Sequence, residues 1–250
     1  MRVPPRRSAT SFRPVAEPVL YIAGDVHHDG SDAGFARWLD RLAARSPARL
    51  VLLGDVVEWW TDGPFCRAQH EPILARLRAL RRAGWRLDIL RGNRELAAGR
   101  AFEVACGCRR LSRRLDVQLG PVHLRIVHGD RLMHDPSYRA WAAVCRSFFW
   151  IAWQLLSPPQ AQEAFARMMR RTSRGSRPVP TKRRRIFLDP RKVHGAARGA
   201  DVLIAGHVHE SWRRRVGGVD LILAGHWPPG RGHWVEGFAD GRLERRSEKV

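Results

Sequence analysis

Residues 19–30 read VLYIAGDVHHDG: five mostly apolar residues, a glycine, then an aspartate and two histidines within four positions. A short apolar run rich in branched and aromatic side chains reads as a strand buried on both faces. The glycine lets the chain turn sharply at the strand end. Taken alone, Asp25 and His27 could be ordinary turn residues. The same arrangement recurs, however. RLVLLGD ends at Asp55 and LDILRGN at Asn93. HLRIVHGD carries His128 and Asp130, ADVLIAGHVH carries His207 and His209, and LILAGHW carries His226. Between the first three runs lie helical patterns at 35–46 (FARWLDRLAARS) and 71–84 (EPILARLRALRRAG), the second closed by Gly84. Strands alternating with helices predict an α/β layered sheet. In such sheets, sites form beyond the carboxyl ends of the strands.

The set therefore places Asp25, His27, Asp55, Asn93, His128, His207 and His209 along one sheet edge. Carboxylate, amide oxygen and imidazole together suit Mn²⁺, Fe²⁺ or Zn²⁺, and the absence of thiolate argues against a structural zinc site. Seven ligands exceed what one ion takes and fit two, with Asp55 as the natural bridging carboxylate. Two such ions clamp phosphoryl oxygens in an in-line displacement. His28 is expected to point away from His27 by strand alternation.

Composition sets the frame. At 250 residues and 44% hydrophobic content, the chain can bury a sizeable core. No run approaches the ~18 apolar residues of a membrane span. The basic, proline-rich residues 1–17 are read as a disordered tail without signal-peptide character, which predicts a cytoplasmic protein. The four cysteines form no C-x-x-C pair and read as reduced structural thiols. The net charge of +21, carried almost wholly by arginine, favours an anionic partner or reflects arginine-rich coding.

GDVHH, GDVVEWW, GNRE, HGD and GHVH resemble, in order, the five blocks of the calcineurin-like metallophosphoesterases. The resemblance implies a four-layer αββα fold, a β-sandwich flanked by helices, with a dinuclear centre of two divalent ions, Mn²⁺ being the expected metal. It implies that Asp25, His27, Asp55 and His209 hold one ion and that Asp55, Asn93, His128 and His207 hold the other. Most family members have His after the block's Asn, as an acid for the leaving group; here Arg94 follows Asn93. An arginine cannot serve as that acid but pairs bidentately with phosphate. A phosphomonoester leaving group, with a second pKa of about 6, needs little protonation. The substitution predicts pyrophosphate cleavage, with Arg94, Asn93 and Asp55 as the catalytic set.

GNR followed by an acid is typical of the UDP-2,3-diacylglucosamine hydrolases, and the chain resembles them also in GDVVEWWTDG and HGDRLMHDPSYRAW. That branch implies hydrolysis of UDP-2,3-diacylglucosamine to UMP and 2,3-diacylglucosamine 1-phosphate, a step of lipid A biosynthesis. It implies a helical cap at 136–185 inserted into a core of 18–135 and 186–250, and an enzyme peripherally attached to the inner face of the cytoplasmic membrane. Residues 139–156 and 160–171 read as two helices, broken at Pro158-Pro159, carrying aromatic and Met side chains beside Arg167, Arg170 and Arg171. Such a surface suits acyl chains and an anionic membrane; a plain hairpin burying its aromatics on the core is the alternative. By the same resemblance Arg94, Asp135, Ser173, Ser176, Lys182 and Arg183 contact substrate. Asp130 and His226 read as supports for ligands or as structural residues, and His194, on a helix at 191–199, as non-functional. The segment GHVHES lacks the proline usual after this His pair.

Two rival readings remain. One is a phosphodiesterase or nucleotide pyrophosphatase with another substrate. The other is a non-enzymatic, basic nucleic-acid-binding protein, against which stand seven filled ligand positions. The sequence carries no signal for oligomeric state.

Overall fold

The structure is a computed structural model and describes residues 16–30, 33–60, 64–92, 100–111, 113–133, 143–144, 147–158, 160–162, 164–165, 168 and 188–250. Two mixed sheets lie face to face. In the first, β1 (Leu20–Ala23), β2 (Arg49–Leu52), β3 (Arg86–Leu90) and β4 (Arg109–Leu111) run parallel. Strands β10 (Arg231–Gly237) and β11 (Leu243–Lys249) extend it antiparallel beyond β1, giving the order β11-β10-β1-β2-β3-β4. In the second, β6 (Val122–Val127), β7 (Val202–Ala205) and β9 (Val219–Ala224) are parallel. Strands β5 (Arg114–Leu119) and β8 (Ser211–Val216) pair antiparallel at its edges, in the order β5-β6-β7-β9-β8.

Side-chain alternation explains the layering. Leu20, Ile22, Val51 and Leu53 face inward and meet Ile126, Val202, Ile204 and Ile222 of the second sheet. Their neighbours Tyr21, Ala23, Leu50 and Leu52 face outward onto the helical layer of α1 (Gly34–Ala43), α2 (Pro64–Arg82) and α3 (Arg100–Cys106). Leu203, Ala205, Leu221 and Leu223 face the other way, onto Val193 and Ala197 of α5 (Pro190–Ala197). Strands covered on both faces have no polar side to show, so the sequence reads them as unbroken apolar runs. Helices outside two stacked sheets make the four-layer αββα arrangement.

Three elements differ from what the apolar patterns indicate. The helix predicted at 71–84 starts at Pro64 and runs through Pro72. PFCRAQH lacks apolar periodicity, so its helical character does not show in the pattern. The helix closes as expected: Gly84 adopts φ +94° and the Trp85 N–H donates to the Leu80 carbonyl at 3.1 Å. The edge strands β8 and β11 are mostly arginine and glutamate on at least one exposed face; their polar sequences carry no strand signal of the buried kind.

Within the predicted helix at 139–156, α4 (Phe148–Leu156) is capped by Ser147, whose Oγ accepts the Trp150 N–H at 3.2 Å. Trp150 and Phe165 lie 6.1 and 5.5 Å from Trp59, between ring centroids, so this segment seats on the loop that follows Asp55. Phe148 and Phe149, by contrast, are 78% and 84% exposed. Among the described residues no helix is long and apolar enough to cross a membrane.

A candidate two-pocket metal centre

The parallel strands of both sheets end at the same edge. There the chain leaves β1 at Gly24, β2 at Leu53, β6 at His128, β7 at Gly206 and β9 at Gly225. Beyond the first two strands, the 25–28 and 54–58 loops continue to pair. The Asp25 N–H donates to the Gly54 carbonyl (3.1 Å), the His27 N–H to Asp55 (2.9 Å), the His28 N–H to Val56 (3.0 Å) and the Glu58 N–H to His28 (2.9 Å). Within this ladder Asp25, His27 and Asp55 sit at φ +50°, +50° and +51°, and His207 and His209 on the facing sheet at +68° and +59°. Among the described residues these five are the non-glycine positions with positive φ. The Val208 N–H to Gly206 carbonyl bond (2.8 Å) closes a tight turn around His207. Such backbone costs of order 1–3 kcal/mol per residue and persists where surrounding structure over-determines it. Its concentration on these five side chains marks the site.

Glycines permit the close approach. A Cβ at Gly54, where φ is +97°, would lie 2.4 Å from the Gly92 nitrogen. A Cβ at Gly206 would lie 2.5 Å from Asp25 Oδ2, the oxygen that accepts the His207 N–H at 2.6 Å. That bond ties the two sheets together across the site.

The side chains converge as two groups, in each of which the potential ligand atoms lie within 4.8 Å of one another: an outer pocket of Asp25, His27 and His209, and an inner pocket of Asp55, His128 and His207. The Nε2 atoms of His27 and His209 stand 3.0 Å apart. Asp55 directs one oxygen to each side. Its Oδ2 is 3.8 Å from His27 Nε2 and its Oδ1 is 3.8 Å from His128 Nε2. Asp25, Asp55 and His128 are buried, while His209 stands at the mouth.

Electrostatics follow from burial. Asp25 is raised to about 7, first by desolvation and then by the Asp55 charge, against lowering by His128 and His27. Its buried Oδ1 meets no hydrogen-bond partner among the described residues, a costly state for a carboxylate oxygen. His207 is lowered to about 4, by desolvation first and His128 next. His209 is lowered to about 3, by desolvation first and then by His27 and His226. Imidazoles beside two buried carboxylates, with His207 and His209 held neutral, together fit divalent cations and contain no thiolate.

Other expected residues divide as follows. His28 turns away from the pockets, its Nδ1 3.2 Å from His70 Nδ1, and His70 Nε2 is 3.2 Å from the Trp59 carbonyl. His226 stacks on His209, with centroids 5.2 Å apart and planes at 13°, and His233 stacks beyond it at 6.0 Å. His194 lies away from the pockets, its Nδ1 3.3 Å from the Gly217 carbonyl. Asn93, Arg94, Asp135, Ser173, Ser176, Lys182 and Arg183 lie outside the described residues. One neighbour received no role from the sequence: Glu58, whose Oε2 is 3.3 Å from His27 Nδ1. It stands in the GDVVE block, but only the fold shows that it reaches back to His27.

Paired carboxylate–imidazole pockets at the strand ends of an αββα sandwich define a metal-dependent phosphoester hydrolase. The chain belongs to the calcineurin-like phosphoesterase family, whose pattern matches residues 19–230. Among curated relatives, a UDP-2,3-diacylglucosamine hydrolase of Chromohalobacter salexigens is 31% identical over 241 residues, covering 89% of this chain and 95% of that one. The enzyme of the same name from Pseudomonas putida is 30% identical, covering 76% and 82%, and that from Hahella chejuensis 27% identical, covering 84% and 89%.

Proposed function

We propose that this protein hydrolyses the pyrophosphate of UDP-2,3-diacylglucosamine, giving UMP and 2,3-diacylglucosamine 1-phosphate, a step of lipid A biosynthesis. The observation that carries this reading is the pair of pockets either side of Asp55 in a chain that aligns along most of its length with enzymes of that name. Asp25, His27, Asp55 and His209 hold one divalent ion; Asp55, Asn93, His128 and His207 hold the other, with Mn²⁺ the expected metal. When bound, two such cations supply positive charge that acidifies a water molecule and offsets charge gathering on the phosphoryl oxygens.

The protein's own groups do the rest. Asp55 keeps the two pockets in register through its two oxygens. Arg94 pairs with a phosphate oxygen and stabilises the in-line transition state together with Asn93. An oxygen–phosphorus bond forms from water to the uridylyl phosphorus, the bond to the bridging oxygen breaks, and the sugar phosphate leaves as an anion that needs no acid. One proton goes to solvent.

Residues 136–185 form a cap over this edge, where Asp135, Ser173, Ser176, Lys182 and Arg183 contact the glucosamine and its phosphate. The Trp59–Trp150–Phe165 cluster anchors the cap beside Asp55. Exposed Phe148, Phe149, Leu156 and Met168, on a chain of net charge +21, suit the anionic inner face of the cytoplasmic membrane.

The test is turnover by purified, Mn²⁺-loaded protein, with UMP followed by mass spectrometry. Cleavage of the diacyl substrate far above that of a non-acylated UDP-sugar supports the reading. Equal rates reassign the protein to a soluble nucleotide pyrophosphatase.

A further inference from the structure

The two pockets are supported differently. In the inner pocket, His128 Nδ1 faces the Leu53 carbonyl at 2.9 Å, a main-chain group that no substitution removes. In the outer pocket both imidazoles lean on side chains. Glu58 Oε2 stands 3.3 Å from His27 Nδ1, leaving Nε2 as the nitrogen turned toward His209 and Asp55. His226 lies flat against His209, planes 13° apart. His226 is itself fixed to the site, because the next residue, Trp227, donates its N–H to the Asp25 carbonyl at 3.2 Å.

We propose that Glu58 and His226 are positioning residues for the outer ion alone, so that the two ions bind with separately adjustable affinities. The Glu58 carboxylate stands 3.3 Å behind His27 Nδ1; its negative charge favours the tautomer with the proton on Nδ1 and the lone pair on Nε2. His226 braces His209, whose backbone sits at φ +59°. For His128 in the inner pocket, the neutral Leu53 carbonyl does the equivalent work. The proposal rests on the two-ion reading of the site and reaches beyond it to which residues set each occupancy.

The experiment is Mn²⁺ binding by equilibrium dialysis with elemental analysis, on the full chain. Wild type is compared with Glu58→Ala, Glu58→Gln and His226→Ala, each also in an Asp25→Ala background. Thermal melts accompany each variant. Wild type takes two ions. Glu58→Ala and His226→Ala keep one at wild-type affinity and weaken the other about 10–100-fold. Glu58→Gln, which keeps an oxygen dipole behind Nδ1 without the charge, loses less and provides the measurement if the alanine variant melts early. In the Asp25→Ala background, none of the three changes alters the remaining ion. Equal weakening of both ions, or two ions at wild-type affinity in Glu58→Ala, overturns the proposal. Wild-type protein that takes up no Mn²⁺ overturns the two-ion reading itself, and this inference with it.

Discussion

Replacing Asp25 by Asn should stabilise the metal-free protein, and more so as pH rises. Asp25 is 1% exposed, one of its oxygens has no donor among the described residues, and its folded pKa of about 7 lies above the ordinary carboxylate value of 3.8. The folded state therefore holds this proton more tightly than the unfolded chain does. Its contribution to stability is fully present below pH 3.8 and is lost as pH rises through 7. At ~1.4 kcal/mol per pH unit between those values, the loss reaches about 4 kcal/mol by pH 8. Asparagine keeps the shape and never ionises, so it escapes that cost. For a chain of this size, 4 kcal/mol corresponds to roughly 8–16 °C in Tm. His207 and His209 titrate in both proteins, so the difference isolates Asp25. The assay is urea and thermal unfolding of chelator-treated wild type and Asp25→Asn at pH 4, 6 and 8. The variant should match wild type at pH 4 and exceed it progressively to pH 8. With Mn²⁺ added the order should reverse, since cations stabilise the state they bind. A gap that does not widen with pH, or metal-free Asp25→Asn that is less stable at pH 8, refutes the reasoning.

Other outcomes follow from the same geometry. Asp55→Ala should abolish turnover and reduce Mn²⁺ content at both pockets, read by elemental analysis. Arg94→Ala should lower kcat about 10²–10³-fold while metal content stays at wild-type level; parallel loss of metal contradicts its assigned role. Gly206→Ala places a Cβ 2.5 Å from Asp25 Oδ2. It should cost about 1–3 kcal/mol in unfolding and weaken the outer ion. Phe148→Ser with Phe149→Ser should leave hydrolysis of a short-chain soluble substrate intact and lower binding to anionic vesicles on the order of 100-fold in co-sedimentation.

The sheet edge was legible because strands buried on both faces leave apolar runs with abrupt glycine–ligand ends. Asp25, Asp55, His128, His207 and His209 stand out for that reason. Support from a distance was not legible. Glu58 reaching His27, and His226 lying on His209 from the loop after β9, 17 residues further along, depend on loop pairing and positive φ that no local pattern announces. The start of α2 was hidden by PFCRAQH, and strands β8 and β11 by their arginines, because an exposed face needs no apolar alternation. The expected partition into core and cap, and the substrate contacts at Asp135, Ser173, Ser176, Lys182 and Arg183, came from resemblance, and those five contacts lie outside the described residues.

The account stands on cations sitting to either side of Asp55. Anomalous diffraction at the manganese edge from Mn²⁺-soaked crystals measures this directly. Two peaks are expected, one against Asp25, His27 and His209 and one against His128 and His207, with Asp55 touching both. A single peak, or peaks at surface carboxylates with none beside Asp55, contradicts it.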